Sequence, residues 1–316
     1  MTSSSAGHRS GDPDDRKLPV WRSLLYVPAN VERFIEGAHR RGADAIIVDL
    51  EDSVPEGERA RARRDLQATA AKVAGGGADV VVRINRPWRQ TILDLEAAIS
   101  PRIQALAVTK VDSAEHVRLI AEVVGELEAE RGMPVGTTQF IVMIETAAAF
   151  FRMPEIAGAD RRIVAMTLGG EDFALSVGML PDAEGLFLPK QQLAIAARAA
   201  GIMPLGFIGT VADYQDLDAF RRTVQRSRRL GFLGASVIHP SQVPILNAEF
   251  GPSAEEVDSA RRIVTAYEEA TAAGRGSIAV DGKMVDVPVV ERAYQTLRRH
   301  AAIQERENRR KREISA

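Results

Sequence analysis

Eight short apolar runs, at residues 22–27, 45–49, 80–83, 105–110, 140–145, 163–168, 204–211 and 235–239, alternate with helical stretches, and nearly every one stops at a charged or polar residue. An apolar body with a polar tip is the pattern of a parallel strand buried on both faces whose C-terminal end lines a site. Eight such strands in βα alternation predict an α/β fold, the TIM (β/α)8 barrel, whose chemistry sits at that end. Asp49, Arg83, Lys110, Glu145 and His239 all stand at such tips.

The 316 residues suit one barrel of roughly 250 residues with additions at both ends. Residues 1–17 are rich in Ser, Gly and Asp and lack an apolar segment, which predicts a flexible tail rather than a secretory signal. Residues 18–250 are expected to form the barrel, and residues 251–316 C-terminal helices with a lid. No apolar stretch approaches the ~20 residues of a membrane span. A net charge of −2 gives no general reason to expect nucleic acid or an anionic membrane as partner. The absence of cysteine excludes disulfides, thiolate metal sites and a Cys nucleophile, and fits a cytoplasmic protein.

Local signals place the elements. Asn30 is the expected N-cap of a helix at 31–41. Further helices are expected at 56–74, 114–131, 185–200 and 217–230, with an amphipathic turn near 92–99. The run 204–211 is the weakest strand, because Gly206 and Gly209 interrupt it. Ser253-Ala254-Glu255-Glu256 fits a capping box at the start of a helix reaching residue 273. Residues 277–288 alternate around Asp281-Gly282 as a small hairpin would. A last helix at 289–307 leads into Arg309-Arg310-Lys311-Arg312, expected to be a solvated helix end.

Glu145 and Asp172 lie just past the ends of neighbouring strands, so their carboxylates can converge. Hard oxygen ligands with no Cys or His beside them suit Mg²⁺; two surface carboxylates in loops are the plain alternative. Gly169 and Gly170 let the backbone turn and expose Asp172. Arg83 follows three valines and so emerges from the barrel wall, placed to clamp a carboxylate or oxyanion, or to pair with Asp49 or Glu51. Asp49 would hold Arg83 or Lys110, and Glu51 would orient metal-bound water, unless the pair is structural. Lys110 could form a Schiff base if burial depressed its pKa, but nearby carboxylates favour the ammonium. His239-Pro240 could supply a proton donor; the plain reading, which is favoured, is a turn with a satisfied imidazole. No glycine cluster matches a dinucleotide fingerprint or P-loop.

Taken in order, several segments resemble the HpcH/HpaI aldolase–citrate lyase β-chain superfamily, and within it the CitE-like CoA-ester lyases. They are Arg22-Ser23-Leu24-Leu25-Tyr26-Val27-Pro28, Asp49-Leu50-Glu51-Asp52-Ser53, Val82-Arg83-Ile84-Asn85, Ile144-Glu145-Thr146-Ala147, Gly169-Gly170-Glu171-Asp172-Phe173-Ala174 and Ile238-His239-Pro240-Ser241-Gln242. The resemblance implies a barrel that makes or breaks a C–C bond beside a thioester with Mg²⁺, Mn²⁺ being the alternative ion. Glu145 and Asp172 match the family's metal ligands, and Arg83 its substrate-binding arginine. The substrate-binding set would be Arg83, Glu145, Asp49, Glu51 and Lys110. Asp281-Gly282-Lys283-Met284-Val285-Asp286 resembles the C-terminal lid of malyl-CoA and citramalyl-CoA lyases. There Asp286 matches an aspartate that closes over the site, often a neighbouring subunit's, as proton donor or acceptor. The implied partners are an acyl-CoA thioester, with CoA as part of the substrate, a small 2-oxo acid, and further copies of the chain in a trimer or hexamer. Departures stand at Thr109, Gly206 and Lys190. A citrate lyase β-like subunit, a CoA-independent metal aldolase and an inactive binding subunit are the competing readings.

Overall fold

The structure is a computed structural model and describes residues 18–209, 215–274, 278–280 and 282–315. The tail expected at 1–17 lies outside the described residues. Eight parallel strands follow in sequence: β1 (Ser23–Pro28), β2 (Ala45–Asp49), β3 (Asp79–Ile84), β4 (Ala105–Val108), β5 (Gln139–Ile144), β6 (Ile163–Leu168), β7 (Met203–Leu205) and β8 (Ala235–Val237). Each pairs with its sequence neighbour from β1 to β7, and β8 pairs with β1. A parallel bridge between Leu205 and Gly234 closes the ring, with Gly206 N–H donating to Gly234 O at 2.8 Å. The barrel expected from the eight runs is therefore present.

Around it stand α1 (Glu32–Ala38), α2 (Glu56–Ala74), α3 (Trp88–Ala98), α4 (Ala114–Glu130), α5 (Ala147–Phe150), α6 (Met153–Ala157), α7 (Gly170–Val177), α8 (Phe187–Ala199), α9 (Leu217–Arg229) and α10 (Val243–Glu249). Beyond the barrel come α11 (Ala254–Ala272), an antiparallel hairpin of β9 (Ile278–Val280) and β10 (Lys283–Val285), and α12 (Val287–Ser315). The capping box forms as expected, Ser253 Oγ and the Glu256 carboxylate each bonding the other's backbone N–H. No described helix is long and apolar enough to cross a membrane.

Strand parity sorts the core into two layers. Ile46, Val48, Val80, Val82 and Val142 face outward and pack under the helices. Ala45, Ile47, Val81, Ala107, Ile141 and Met143 face inward and fill the barrel. The inward rows continue at the C-terminal end into Asp49 on β2, Arg83 on β3 and Glu145 just past β5. Parity thus aims these side chains into the barrel mouth.

Four local expectations need correction. Asn30 does not cap α1: Val31 takes that position, and the Asn30 amide donates to Glu58 Oε2 at 2.8 Å. Strand seven is three residues, because Gly206 (φ +139°) and Gly209 (φ +149°) take the backbone out of extended geometry. The amphipathic turn expected near 92–99 is a full helix, α3, which starts at Trp88, where Pro87 lacks the N–H that a first turn would leave unpaired. The basic run 309–312 is not simply a solvated end. Helix α12 continues through it, and Arg310 donates to Gly42 O at 2.9 Å while Arg309 pairs with Asp79.

That docking fixes where α12 lies. Arg306, 5% exposed, reaches both Asp44 and Asp79, and Glu307 pairs with Arg22 at 2.9 Å. Asp44 and Asp79 stand at the N-terminal ends of β2 and β3. The second half of α12 therefore closes the end of the barrel opposite the strand tips.

Candidate active site

A cavity of about 1050 Å³ opens at the C-terminal end of the barrel, and Asp49, Arg83, Glu145 and Asp172 line it. Strand register brings the first two together: Asp49 and Arg83 are direct partners across β2 and β3. Arg83 Nε and Nη2 donate to the two Asp49 oxygens at 2.7 and 2.6 Å, and Nη1 lies 2.9 Å from Glu51 Oε2. The guanidinium also faces the Tyr26 ring at 5.0 Å. Burial alone would weaken its charge, but Asp49, Tyr26 and Glu51 outweigh that and hold it firmly protonated. The pairing expected of Arg83 with Asp49 and Glu51 is present.

Glu51 links Arg83 to Lys110. Lys110 Nζ donates to Glu51 Oε1 at 2.5 Å, and the Lys110 backbone N–H donates to Glu145 Oε2 at 2.6 Å. Burial disfavours the ammonium, yet the Glu51 carboxylate more than compensates and raises its pKa. A protonated Lys110 does not attack a carbonyl, so the Schiff-base alternative loses its basis. His239 bears out the plain reading: its Nδ1 meets Ser241 Oγ at 2.7 Å in a turn at the cavity rim.

Glu145 is 3% exposed. Burial pushes its carboxyl up to about 8, and the charges of Glu51 and Asp172 push the same way. A buried carboxylate repelled by two others is a place where a divalent cation relieves the strain. The backbone makes room for it: a Cβ at Gly169 would sit 2.8 Å from Glu145 Oε1. Asp172, in the first turn of α7, completes a pair of hard oxygen donors. Two carboxylates beside open cavity fit Mg²⁺, which keeps waters and takes substrate oxygens in its remaining positions.

Asp286 is not among the described residues lining the cavity. It begins α12, its backbone carbonyl accepting the Val289 and Val290 N–H groups at 3.0 and 3.1 Å. Thirteen helical steps, about 20 Å, lead from it to Arg299, which donates to Leu233 O near the barrel's closed end. One chain brings Glu145, Asp172, Arg83, Asp49, Glu51 and Lys110 together, and Asp286 does not line their cavity.

Sequence reasoning missed several lining residues. Tyr26 and Thr167 were legible in principle, since both lie on barrel strands near the tips. Phe34, Arg40 and Arg41, from α1 and just beyond it, extend the cavity sideways and carry no signal of their own. Lys190 also lines it, 6% exposed and with its amine lowered by burial to about 7; it donates to Phe207 O and Gly209 O at 2.7 and 2.5 Å.

Comparison with known proteins shows which family the chain belongs to. Residues 22–240 match the family model for HpcH/HpaI aldolase/citrate lyase. The citrate lyase subunit beta of Leuconostoc mesenteroides subsp. cremoris is 33% identical over 88% of this chain and 92% of its own length. A (3S)-malyl-CoA thioesterase of Cereibacter sphaeroides is 34% identical over 90% of this chain and 95% of its own. Among solved structures, the protein CitE of Mycobacterium tuberculosis in complex with magnesium, acetoacetate and coenzyme A superposes with a TM-score of 0.68 at 29% identity, covering 88% of this chain and 97% of that one. The chain belongs to the HpcH/HpaI aldolase/citrate lyase family, and its enzyme class is that of a carbon–carbon lyase.

Proposed function

We propose that this chain is a Mg²⁺-dependent lyase that cleaves, or in reverse forms, a small 3-hydroxyacyl-CoA such as malyl-CoA or citramalyl-CoA. The products of cleavage are an acyl-CoA and a 2-oxo acid. The observation that carries this reading is the meeting of buried Glu145, Asp172 and the Arg83 guanidinium in one cavity. The magnesium, acetoacetate and coenzyme A bound to the M. tuberculosis protein support it.

Glu145 and Asp172 would hold the ion. When bound, Mg²⁺ supplies Lewis-acid polarisation of the 2-oxo acid's oxygens. Arg83 stabilises negative charge on substrate oxygen as the bond between C2 and C3 breaks. The bonding pair passes to the thioester fragment as an enolate, while the 3-hydroxyl gives its proton to solvent water in the open cavity and becomes the new carbonyl. Asp286 donates the proton the enolate needs, and accepts one in the condensing direction. Asp49, Glu51 and Lys110 fix Arg83 and Glu145 in place. Arg40 and Arg41, with Phe34, offer cations and an aromatic face to the phosphates and base of CoA.

Because Asp286 stands apart from its own cavity, it would serve the cavity of a neighbouring copy, in a trimer or hexamer. Apolar surface on both sides supports this: Met284 is 72% exposed near Asp286, and Phe151, just past α5, and Leu175, on α7, are each 82% exposed near the mouth. The citrate lyase relative supports a second reading, a subunit acting on a carrier-bound citryl group.

The test is a mass-spectrometric panel of malyl-, citramalyl- and methylmalyl-CoA with Mg²⁺, with and without EDTA. Metal-dependent acyl-CoA and 2-oxo acid are expected, and Asp286→Asn should suppress them while Mg²⁺ still binds. Free CoA with an intact hydroxy acid would instead indicate thioester hydrolysis. No reaction with any free CoA ester would move the assignment to the carrier-bound subunit.

A further inference from the structure

Lys110 is the only described non-glycine residue with a positive φ, +49°. A left-handed backbone costs an L-residue free energy, and such outliers persist only where neighbours over-determine them. The neighbours here are specific. Thr109 Oγ1 donates to Ile84 O at 2.8 Å and pins the end of β4 to β3. The Val111 N–H donates to Met143 O at 3.3 Å on β5. Between them, the Lys110 carbonyl accepts from Arg86 Nε at 3.3 Å. Arg86 is itself anchored, with Nη2 donating to Asp112 Oδ2 at 2.6 Å and its guanidinium 5.7 Å from the Trp88 ring.

The strained turn has a consequence at the site. It points the Lys110 N–H at Glu145 Oε2 while the same residue's side chain reaches Glu51. From this geometry we infer that Arg86, anchored by Asp112, is a positioning residue: it latches Lys110 in its left-handed conformation, and the Lys110 N–H thereby orients the Glu145 carboxylate for a divalent cation. The inference rests on the reading of Glu145 as a metal ligand. Arg86 is not among the described residues lining the cavity. If the latch is removed, Lys110 relaxes towards ordinary φ and its N–H leaves the carboxylate.

The sign of the effect separates this role from electrostatics. Deleting a cation near a metal site tightens metal binding, whereas deleting the latch weakens it. The test is a double-mutant cycle read by isothermal titration with Mg²⁺ alone, independently of turnover. Arg86→Met should raise the Mg²⁺ Kd by roughly fivefold, the scale set by the cost of a left-handed residue. In the Lys110→Gly background the same change should shift Kd by less than about twofold, since glycine adopts that φ freely. Asp112→Asn, which frees the other end of Arg86, should repeat the pattern in both backgrounds if Arg86→Met fails to fold. Unchanged or tighter binding in the Lys110 background overturns the latch, as does equal weakening in both. Absence of Mg²⁺ binding by the wild type overturns the metal-site reading together with the latch.

Discussion

A methyl group at position 169 would lie 2.7 Å from Glu145 Cγ and 2.8 Å from its Oε1. The backbone there is ordinary, with φ −71°, so glycine is needed for space and not for conformation. Gly169→Ala should therefore fold normally yet displace the carboxylate. The expected result is Mg²⁺ affinity lower by on the order of tenfold, the scale seen when a metal ligand's support is altered, with little change in Tm. Unchanged affinity would mean that Glu145 does not bind the ion as it stands. At this scale much was legible. Asp49, Arg83 and Glu145 follow apolar residues of one parity, and that parity decides what points inward. The division of Glu51 between Arg83 and Lys110 was not legible, because it depends on side-chain reach across three strands.

Among elements, the strands of the barrel were easier to read than their surroundings. A strand buried on both faces has to be apolar, so β2, β3 and β5 announce themselves. Strand β7 does not, since two glycines serve the cavity wall at the expense of the strand. Helix α12 was legible as a helix but its docking was not: Arg306 and Arg310 meet acceptors more than 200 residues away in sequence, Asp44 O among them. These contacts make a prediction. Burial opposes the Asp44 charge, but the Arg22 and Arg306 guanidiniums outweigh it and hold the carboxyl below the usual range. Such a group adds stability that is fully present above its unfolded pKa and is lost as pH falls through the folded one. Asp44→Asn should cost about 3 kcal/mol at neutral pH, as expected for a buried pair losing one partner. The gap to wild type should shrink in urea unfolding below the ordinary carboxylate pKa. A gap that stays constant with pH would show that the pair contributes nothing.

For the whole molecule, the fold splits duties between the two ends of the barrel. The strand tips hold the acidic cavity; the opposite end is sealed by Trp21, whose Nε1–H donates to Asp79 Oδ2 at 2.7 Å, and by α12. Asp286, expected from resemblance to sit in a lid, leads into the helix that seals the far end, and the role proposed for it requires contacts between copies. No single sequence displays such contacts, which is why Asp286 could be matched by resemblance and not by pattern. The central claim is narrower and concerns one chain: Glu145 and Asp172 hold the Mg²⁺ that the lyase reaction needs. It is tested most directly by stripping wild type and Glu145→Gln with EDTA, then following C–C cleavage of the CoA ester as Mg²⁺ is added back. The wild type should recover cleavage in a saturable way while Glu145→Gln stays inactive at every Mg²⁺ concentration. Full cleavage by the stripped wild type, or an equal response from Glu145→Gln, would contradict the account.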